Sequence, residues 1–171
     1  MKLTYEDWLA IPYDGKRHEI MDGEYYVSSS PNLKHQLVVT ELLTELGTHC
    51  QSHALGWVVS YVGTVLGEYT IAMPDLLFIG KDRASIISDY VQGAPDLIIE
   101  VLDTDRDYDE RVKYQIYELA GVPEYWIIDP KSETAKVFRH AGGRFAAVEV
   151  GNVITTPLLP EFELRIADPF A

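Results

Sequence analysis

Residues 95–102 form the segment that most restricts what this chain can fold into. The run PDLIIEVL is apolar at nearly every position and lacks the alternation of a strand with one solvent-exposed face. Such a strand needs other parts of the chain to cover both of its faces, as in layered α/β proteins. We therefore predict that this segment lies inside a central sheet.

Other strands are indicated by composition and by turn signals. Residues 57–66 and 71–79 are rich in β-branched and aromatic residues, and both are predicted to join the central sheet. Residues 18–21 and 24–29 flank Asp22-Gly23, a pair preferred in two-residue hairpin turns. The chain is thus predicted to contain a hairpin before its central sheet.

Helices are predicted where apolar residues recur at helical spacing, at residues 4–10, 31–49 and 107–120. In the last helix, Val112, Ile116 and Leu119 are expected to face inward. Later strands are predicted at residues 124–129, 134–140 and 145–150, and the Pro-punctuated tail is expected to pack on the body. Residues 1–171 are therefore predicted to form a single α/β domain with a mixed sheet.

The formal net charge of −13 restricts the functional classes open to this chain. Sequence-independent attraction to nucleic acid depends on Lys and Arg neutralising phosphates, and an acidic chain disfavours it. An enzyme acting on phosphodiesters remains compatible, because bound divalent cations bring their own positive charge.

The compartment is indicated by cysteine usage and by the absence of long apolar runs. Cys50 is the only cysteine, so no internal disulfide can form and a reducing compartment is expected. No apolar leader or run of membrane-spanning length is present. These observations predict a cytoplasmic protein without membrane association.

Three acidic residues lie in or beside the predicted central strands. Glu100 is placed inside an apolar strand, where a carboxylate needs a partner or a metal. Asp75 opens the neighbouring strand after Pro74, and Asp96 shares a strand face with Glu100. If the two strands pair, their carboxylates converge into a site suited to Mg²⁺ or Mn²⁺.

Lys113 and His35 are candidate supporting residues. Lys113 lies on the helix after the Glu100 strand and can reach back toward the acids; alternatively, it forms a surface salt bridge with Asp109 one turn earlier. His35 lies on the inward face of its helix, either as a buried structural histidine or as part of the site.

Several segments together resemble the Uma-type putative restriction endonuclease domain of the PD-(D/E)XK nuclease superfamily. They are PDLLFI at 74–79, GAPDLIIEVL at 93–102, the helix with Tyr108-Asp109 and Lys113, and YELAGVPEYWIIDP at 117–130. The likeness extends from the HEIMDGE hairpin to LLPEFEL and ADPF, nearly the whole chain.

This resemblance implies a restriction-endonuclease-like fold and metal-dependent hydrolysis of nucleic acid, with DNA as the expected substrate. It assigns Asp75 and Glu100 to the two acidic motif positions, and Lys113 to a lysine moved onto the following helix, because the usual lysine position holds Leu102. Asp96 and His35 also occupy positions that recur in the family. The resemblance further suggests a homodimer.

The acidic segment at residues 103–110 departs from the family pattern. Its aspartates lie beside the expected site, where they would repel a phosphate backbone. The Asp spacing also imitates the start of a calcium loop, but Tyr108 and Tyr114 replace the Gly and Glu that such a loop needs.

Two functional hypotheses follow from the sequence. In the first, the chain is a Mg²⁺-dependent endonuclease, with Asp75, Glu100 and Asp96 as metal ligands and Lys113 assisting the attacking water. In the second, it is a catalytically inactive protein of the same fold that binds a protein or forms a dimer. Carboxylates within about 4 Å of a common point, with Lys113 facing that point in an open cleft, favour the first. A Glu100 neutralised by a fixed salt bridge under a closed surface favours the second.

Overall fold

A computed structural model describes all 171 residues and contains three α-helices and thirteen β-strands. In chain order, the elements are α1 (Tyr5–Leu9), β1 (Arg17–Met21), β2 (Glu24–Ser28), α2 (Leu33–Ser52), β3 (Gly56–Ser60), β4 (Thr64–Gly67), β5 (Thr70–Ala72), β6 (Leu76–Gly80), β7 (Val91–Gln92), β8 (Leu97–Val101), α3 (Tyr114–Leu119), β9 (Glu124–Asp129), β10 (Thr134–Ala141), β11 (Arg144–Val148), β12 (Val153–Ile154) and β13 (Leu164–Arg165).

Strand β8 lies inside a six-stranded mixed sheet with the order β11-β10-β9-β8-β6-β3. It runs parallel to β9 and antiparallel to β6, and every residue of β8 and β9 is buried. This confirms the prediction of a strand covered on both faces. The covering elements are α2 and the C-terminal tail on one face, and α3 with parts of the smaller sheet on the other.

The smaller sheet has five strands in the order β2-β1-β5-β4-β7. Its β1–β2 hairpin forms as predicted, because Asp22 and Gly23 both adopt positive φ angles of 50° and 85°. β1 also pairs with β5, which ties the hairpin to the chain segment that leads to Asp75. This sheet therefore carries residues of β1 toward the predicted acidic site.

Two of the predicted strands are each divided between the two sheets. Residues 57–66 form β3 in the six-stranded sheet and β4 in the five-stranded sheet, and the chain turns at Tyr61, whose φ is 55°. Residues 71–79 are divided in the same way into β5 and β6, with Pro74 between them. Proline lacks an N–H for the strand ladder, so the chain changes sheets there.

The predicted helix over residues 107–120 contains a π-helical turn, Tyr108–Lys113, before α3. Its buried side chains are Tyr108, Asp109, Lys113 and Tyr117. Val112 and Ile116, predicted to face inward, are half-buried against the same core. The expected inward position of Leu119 is wrong, since its side chain is 83% exposed. Polar side chains take the inner face because a buried carboxylate lies opposite them.

The ends of the chain pack on the sheets. Thr4 caps α1 through a reciprocal capping box with Asp7, so the predicted first helix forms over Tyr5–Leu9. In the tail, Leu159 and Phe162 are buried in the core beneath α2, which confirms that this segment packs on the body. None of the helices combines the length and the apolar character needed to cross a membrane.

Candidate active site

Strand pairing brings Asp75 and Glu100 together. In the β6–β8 register Leu76 lies opposite Ile99, so the preceding Asp75 comes beside Glu100 on the adjacent strand. The Asp75 backbone N–H donates to Glu100 Oε2 at 3.3 Å. The prediction that two neighbouring strands bring these residues together is thus confirmed.

Asp75 is held by three donors from different parts of the chain. Arg17 Nη2 donates to Oδ1 at 2.8 Å, and the Val101 N–H donates to Oδ2 at 2.8 Å. His35 Nε2 lies 3.2 Å from Oδ2. Burial opposes ionisation of Asp75, but the His35 hydrogen bond and the Arg17 charge outweigh it and lower the pKa of this carboxyl.

His35 is therefore buried and in contact with the site, which combines the two alternatives considered for it. Asn32 caps α2 by accepting from the His35 backbone N–H, and this places the imidazole one turn inside the helix. Burial disfavours the imidazolium, but the hydrogen bond to Asp75 prevails and raises the pKa of His35.

Glu100 is fully buried and is neutralised from the π-helical turn and α3. Lys113 Nζ donates to Glu100 Oε1 at 2.9 Å, and the Tyr117 hydroxyl donates to the same oxygen at 2.7 Å. Lys113 also contacts Asp109 Oδ1 at 3.4 Å, so the alternative pair forms as well, but inside the protein. Burial disfavours the Lys113 ammonium, yet the surrounding carboxylates raise its pKa and keep it charged.

The structure adds Glu19 and Arg17, both on β1, which the sequence did not identify as site residues. Glu19 lies 3.5 Å from Lys113 Nζ and accepts from the Met73 N–H at 2.6 Å and from the Tyr108 hydroxyl at 2.8 Å. Glu19 lies within a predicted strand, in the HEIMDGE motif. Glu100 was identified as a carboxylate inside a strand, where burial requires a partner, and the same criterion could have identified Glu19.

The buried acids of the site are referred to as the carboxylate cluster, which consists of Glu19, Asp75, Glu100 and Asp109. These four carboxyls surround only two permanent cations, Arg17 and Lys113. Two negative charges are thus left uncompensated before His35 is protonated. A low-dielectric site cannot hold this excess without protons or an added cation.

The pKa values of two members of the cluster reflect this excess. Burial raises the pKa of Glu100 well above its usual range, partly offset by Lys113. Burial also raises the pKa of Asp109 to about 6, against the charge of Lys113 and with the added repulsion of Asp75 and Glu19. Both acids therefore tend to retain protons, and a divalent cation would replace those protons.

A cleft of about 450 Å³ opens onto one side of the cluster. Its wall includes Asp75, Asp109, Lys113 and Arg17, whereas Glu100 lies beneath the surface and does not line it. The chain thus has an open approach to Asp75 and Lys113, as the enzyme hypothesis requires. It also has the closed salt bridge at Glu100 that is expected for a catalytically inactive protein of the same fold.

The structure does not bring Asp96 to this site, contrary to the expectation that it would be a ligand. Its carboxylate accepts from the Gly80 N–H at 2.8 Å and pairs with Arg83 at 3.3 Å. Asp96 and Glu100 share a strand face, but four residues of extended chain separate them by about 13 Å. Alternation along one strand is therefore insufficient to bring two carboxylates together.

The aspartates of residues 103–110 do not converge on a common point. Asp103 accepts from Asn32 at 2.7 Å, and Asp105 accepts from the Tyr108 N–H at 3.2 Å. Asp107 pairs with Arg111 on the exposed surface. Each has its own partner, so the segment does not form a calcium loop, although Asp103 and Asp105 contribute negative charge to the cleft wall.

No three His, Cys, Asp or Glu side chains are arranged as a preformed metal-binding group. The chemistry of the donors nevertheless suits Mg²⁺ or Mn²⁺, because Mg²⁺ binds through one or two carboxylates and retains several waters. Asp75 and Glu100 supply two such carboxylates, and the cluster as a whole is acidic. The residues therefore fit a divalent cation by donor type.

The fold and the acidic cluster define a restriction-endonuclease-like α/β protein. Residues 4–167 match the model of the Uma2 family, described as "Putative restriction endonuclease". The match covers almost the whole chain, and the chain belongs to this family. The resemblance noted from the sequence motifs is thereby confirmed.

A solved structure supports the same fold. The crystal structure of a "putative nuclease belonging to DUF820" from Anabaena variabilis superposes with a TM-score of 0.84 at 20% sequence identity, over 98% of this chain and 97% of that chain. At this identity the likeness establishes the fold alone. No curated protein matches the chain significantly.

Proposed function

We propose that this protein is a metal-dependent endonuclease that hydrolyses phosphodiester bonds of nucleic acid. Asp75 and Glu100 would hold Mg²⁺ or Mn²⁺, and Lys113 would assist the attacking water. The observation that carries this proposal is the open cleft whose wall includes Asp75, Asp109 and Lys113, with Glu100 buried behind them in contact with Lys113. Membership of a family described as "Putative restriction endonuclease" supports the reaction class.

A bound divalent cation supplies positive charge to the phosphate and a water molecule of lowered pKa. The residues of the chain prepare the acids for this ion. Arg17 and His35 keep Asp75 ionised and oriented, because both donate to its carboxylate and lower its pKa. An acid that remains ionised at neutral pH is available as a metal ligand.

The state of Lys113 decides which role it can have. Its raised pKa keeps the ammonium protonated, so this side chain cannot accept a proton from water. It can donate hydrogen bonds toward the cleft and stabilise negative charge that develops on a phosphate. Lys113 is thus proposed to orient water and substrate rather than to act as a base.

The second candidate function is an inactive protein of the same fold that binds a partner protein. Glu100 favours it, since this side chain is 0% exposed and is held by Lys113 and Tyr117. The absence of a preformed three-ligand group points in the same direction. The two candidates differ in whether the cluster takes up a divalent cation.

Metal titration separates them. We expect Mn²⁺ binding, followed by calorimetry, to be lost in both Asp75→Asn and Glu100→Gln. Asp96→Asn, on the same strand but outside the cluster, should retain it. Cleavage of single-stranded, double-stranded and branched DNA and of RNA is then measured with each variant. A folded parent protein that neither binds Mn²⁺ nor cuts any of these substrates would refute the endonuclease proposal and favour the inactive, partner-binding protein.

A further inference from the structure

The wall of the cleft carries little positive charge for a site that would meet phosphates. Its permanent cations, Arg17 and Lys113, are already paired with carboxylates of the cluster. Asp103 and Asp105 add negative charge at the same wall. Neutralisation of a phosphate backbone by Lys and Arg therefore cannot be the main source of affinity here.

The same wall presents two tyrosine rings to solvent. Tyr13 lies in the loop before β1 and is 94% exposed, and Tyr61 lies between β3 and β4 and is 46% exposed. Arg17 lies 4.9 Å from the centre of the Tyr61 ring and supports it from within the protein. Exposed aromatic rings beside a cleft are surfaces on which planar groups stack.

The backbone of Tyr61 supports a specific role for its ring. Its φ of 55° lies in the left-handed region, which is uncommon for a bulky residue and costs free energy. This conformation places the ring beside Arg17, whose guanidinium holds Asp75. The stacking surface is thus joined through one arginine to a carboxylate of the proposed active site.

We propose that this cleft binds an unpaired, single-stranded segment of nucleic acid by stacking its bases on Tyr13 and Tyr61. The inference rests on the proposed function for the class of substrate and specifies which form of it is bound. A double helix encloses its bases and presents phosphates, which the acidic wall repels. A single strand can turn its bases toward the rings, and stacking on aromatic side chains is sequence-tolerant.

Binding can be measured without cleavage by fluorescence anisotropy with a labelled oligothymidine, in Ca²⁺ and in EDTA. Tyr13→Ala and Tyr61→Ala should each weaken binding about 5- to 150-fold. Tyr13→Phe and Tyr61→Phe retain the ring and should bind nearly as the parent does, which separates loss of stacking from loss of folding. Tyr69→Ala is the matched control, since Tyr69 is also partly exposed but lies outside the cleft.

The salt dependence gives a second readout. With at most two cations available to phosphates, the slope of log affinity against log salt should be no steeper than about −1.4. Equal or tighter binding of a duplex of the same sequence, no binding of any oligonucleotide, or equal effects of Tyr13→Ala and Tyr69→Ala would overturn the inference. A parent protein that binds the single strand but does not bind Mn²⁺ would instead refute the proposed hydrolysis alone.

Discussion

Replacing Lys113 with methionine tests whether the carboxylate cluster depends on this one ammonium. Met has a similar length but no charge, so Glu100, Glu19 and Asp109 lose a cation that lies 2.9, 3.5 and 3.4 Å away. Removing one partner of a buried ion pair costs about 3–5 kcal/mol. We expect Lys113→Met to lower the free energy of unfolding by that amount at pH 8.

The cost should become smaller as the pH falls. Glu100 and Asp109 bind protons more tightly in the folded than in the unfolded chain, where carboxyl pKa values are about 4. The folded state therefore gains stability as the pH falls toward these unfolded-state values and loses it as the pH rises through the folded pKa, about 6 for Asp109. In the variant, protonation of Glu100 and Asp109 removes the negative charge that the Lys113 ammonium balances in the wild type.

The assay is urea denaturation at pH 8 and pH 5, followed by tryptophan fluorescence, since Trp126 is fully buried and reports unfolding. The matched control is Lys136→Met. Lys136 also contacts a carboxylate, Glu110 at 3.1 Å, but its side chain is 61% exposed, so its removal should cost less than about 1 kcal/mol.

A double variant tests the physical cause. Glu100→Gln removes the main acceptor of Lys113, so adding it to Lys113→Met should cost at least about 1 kcal/mol less than the sum of the single effects. Strictly additive costs would refute the reasoning, as would equal losses in Lys113→Met and Lys136→Met.

Two further predictions concern a titrating acid and a pair of glycines. Asp109→Asn removes a carboxyl whose pKa is about 6. As the pH rises from about 4 to about 7, the wild type should therefore lose about 3 kcal/mol of unfolding free energy relative to this variant. The same pH dependence of unfolding free energy in both proteins, measured by urea denaturation, would contradict this. Gly56→Ala should destabilise strongly, because φ is 148° and an added Cβ would lie 2.1 Å from the Ile79 carbonyl oxygen. Gly47→Ala, in the open middle of α2, should instead gain roughly 0.5–1 kcal/mol in thermal melts, and similar melting temperatures for both glycine variants would refute the steric argument.

The cluster illustrates how a nuclease-like site can be compatible with an acidic chain. Its own acids exceed its cations, so the site has a physical reason to take up a divalent ion. In the acidic segment at 103–110, Asp107 is paired with Arg111 on the exposed surface, whereas Asp103 accepts from the neutral amide of Asn32 and keeps its negative charge at the cleft wall. The remaining acidic wall restricts how a phosphate backbone can approach, which is why base stacking becomes the more favourable contact.

Much of the local structure was determined by the sequence alone. The apolar run at 95–102 required burial on both faces, and Asp22-Gly23 required a tight hairpin. The position of Asp75 beside Glu100 could also be predicted, because the two apolar strands that carry these residues were expected to pair. These features depend on residues close together in the sequence, or on a single residue whose burial is itself improbable.

Only the tertiary structure decided which residues complete the site. Glu19 meets Tyr108 across 89 positions of sequence, and no local periodicity records that contact. Asp96 lies on the same strand face as Glu100 but at the opposite end of the strand, next to Gly80. Leu119 has the spacing of an inward helix residue, yet its side chain is exposed. Periodicity fixes the direction of a side chain relative to its own element; the packing of β1, β8 and the π-helical turn against one another decides what that side chain meets.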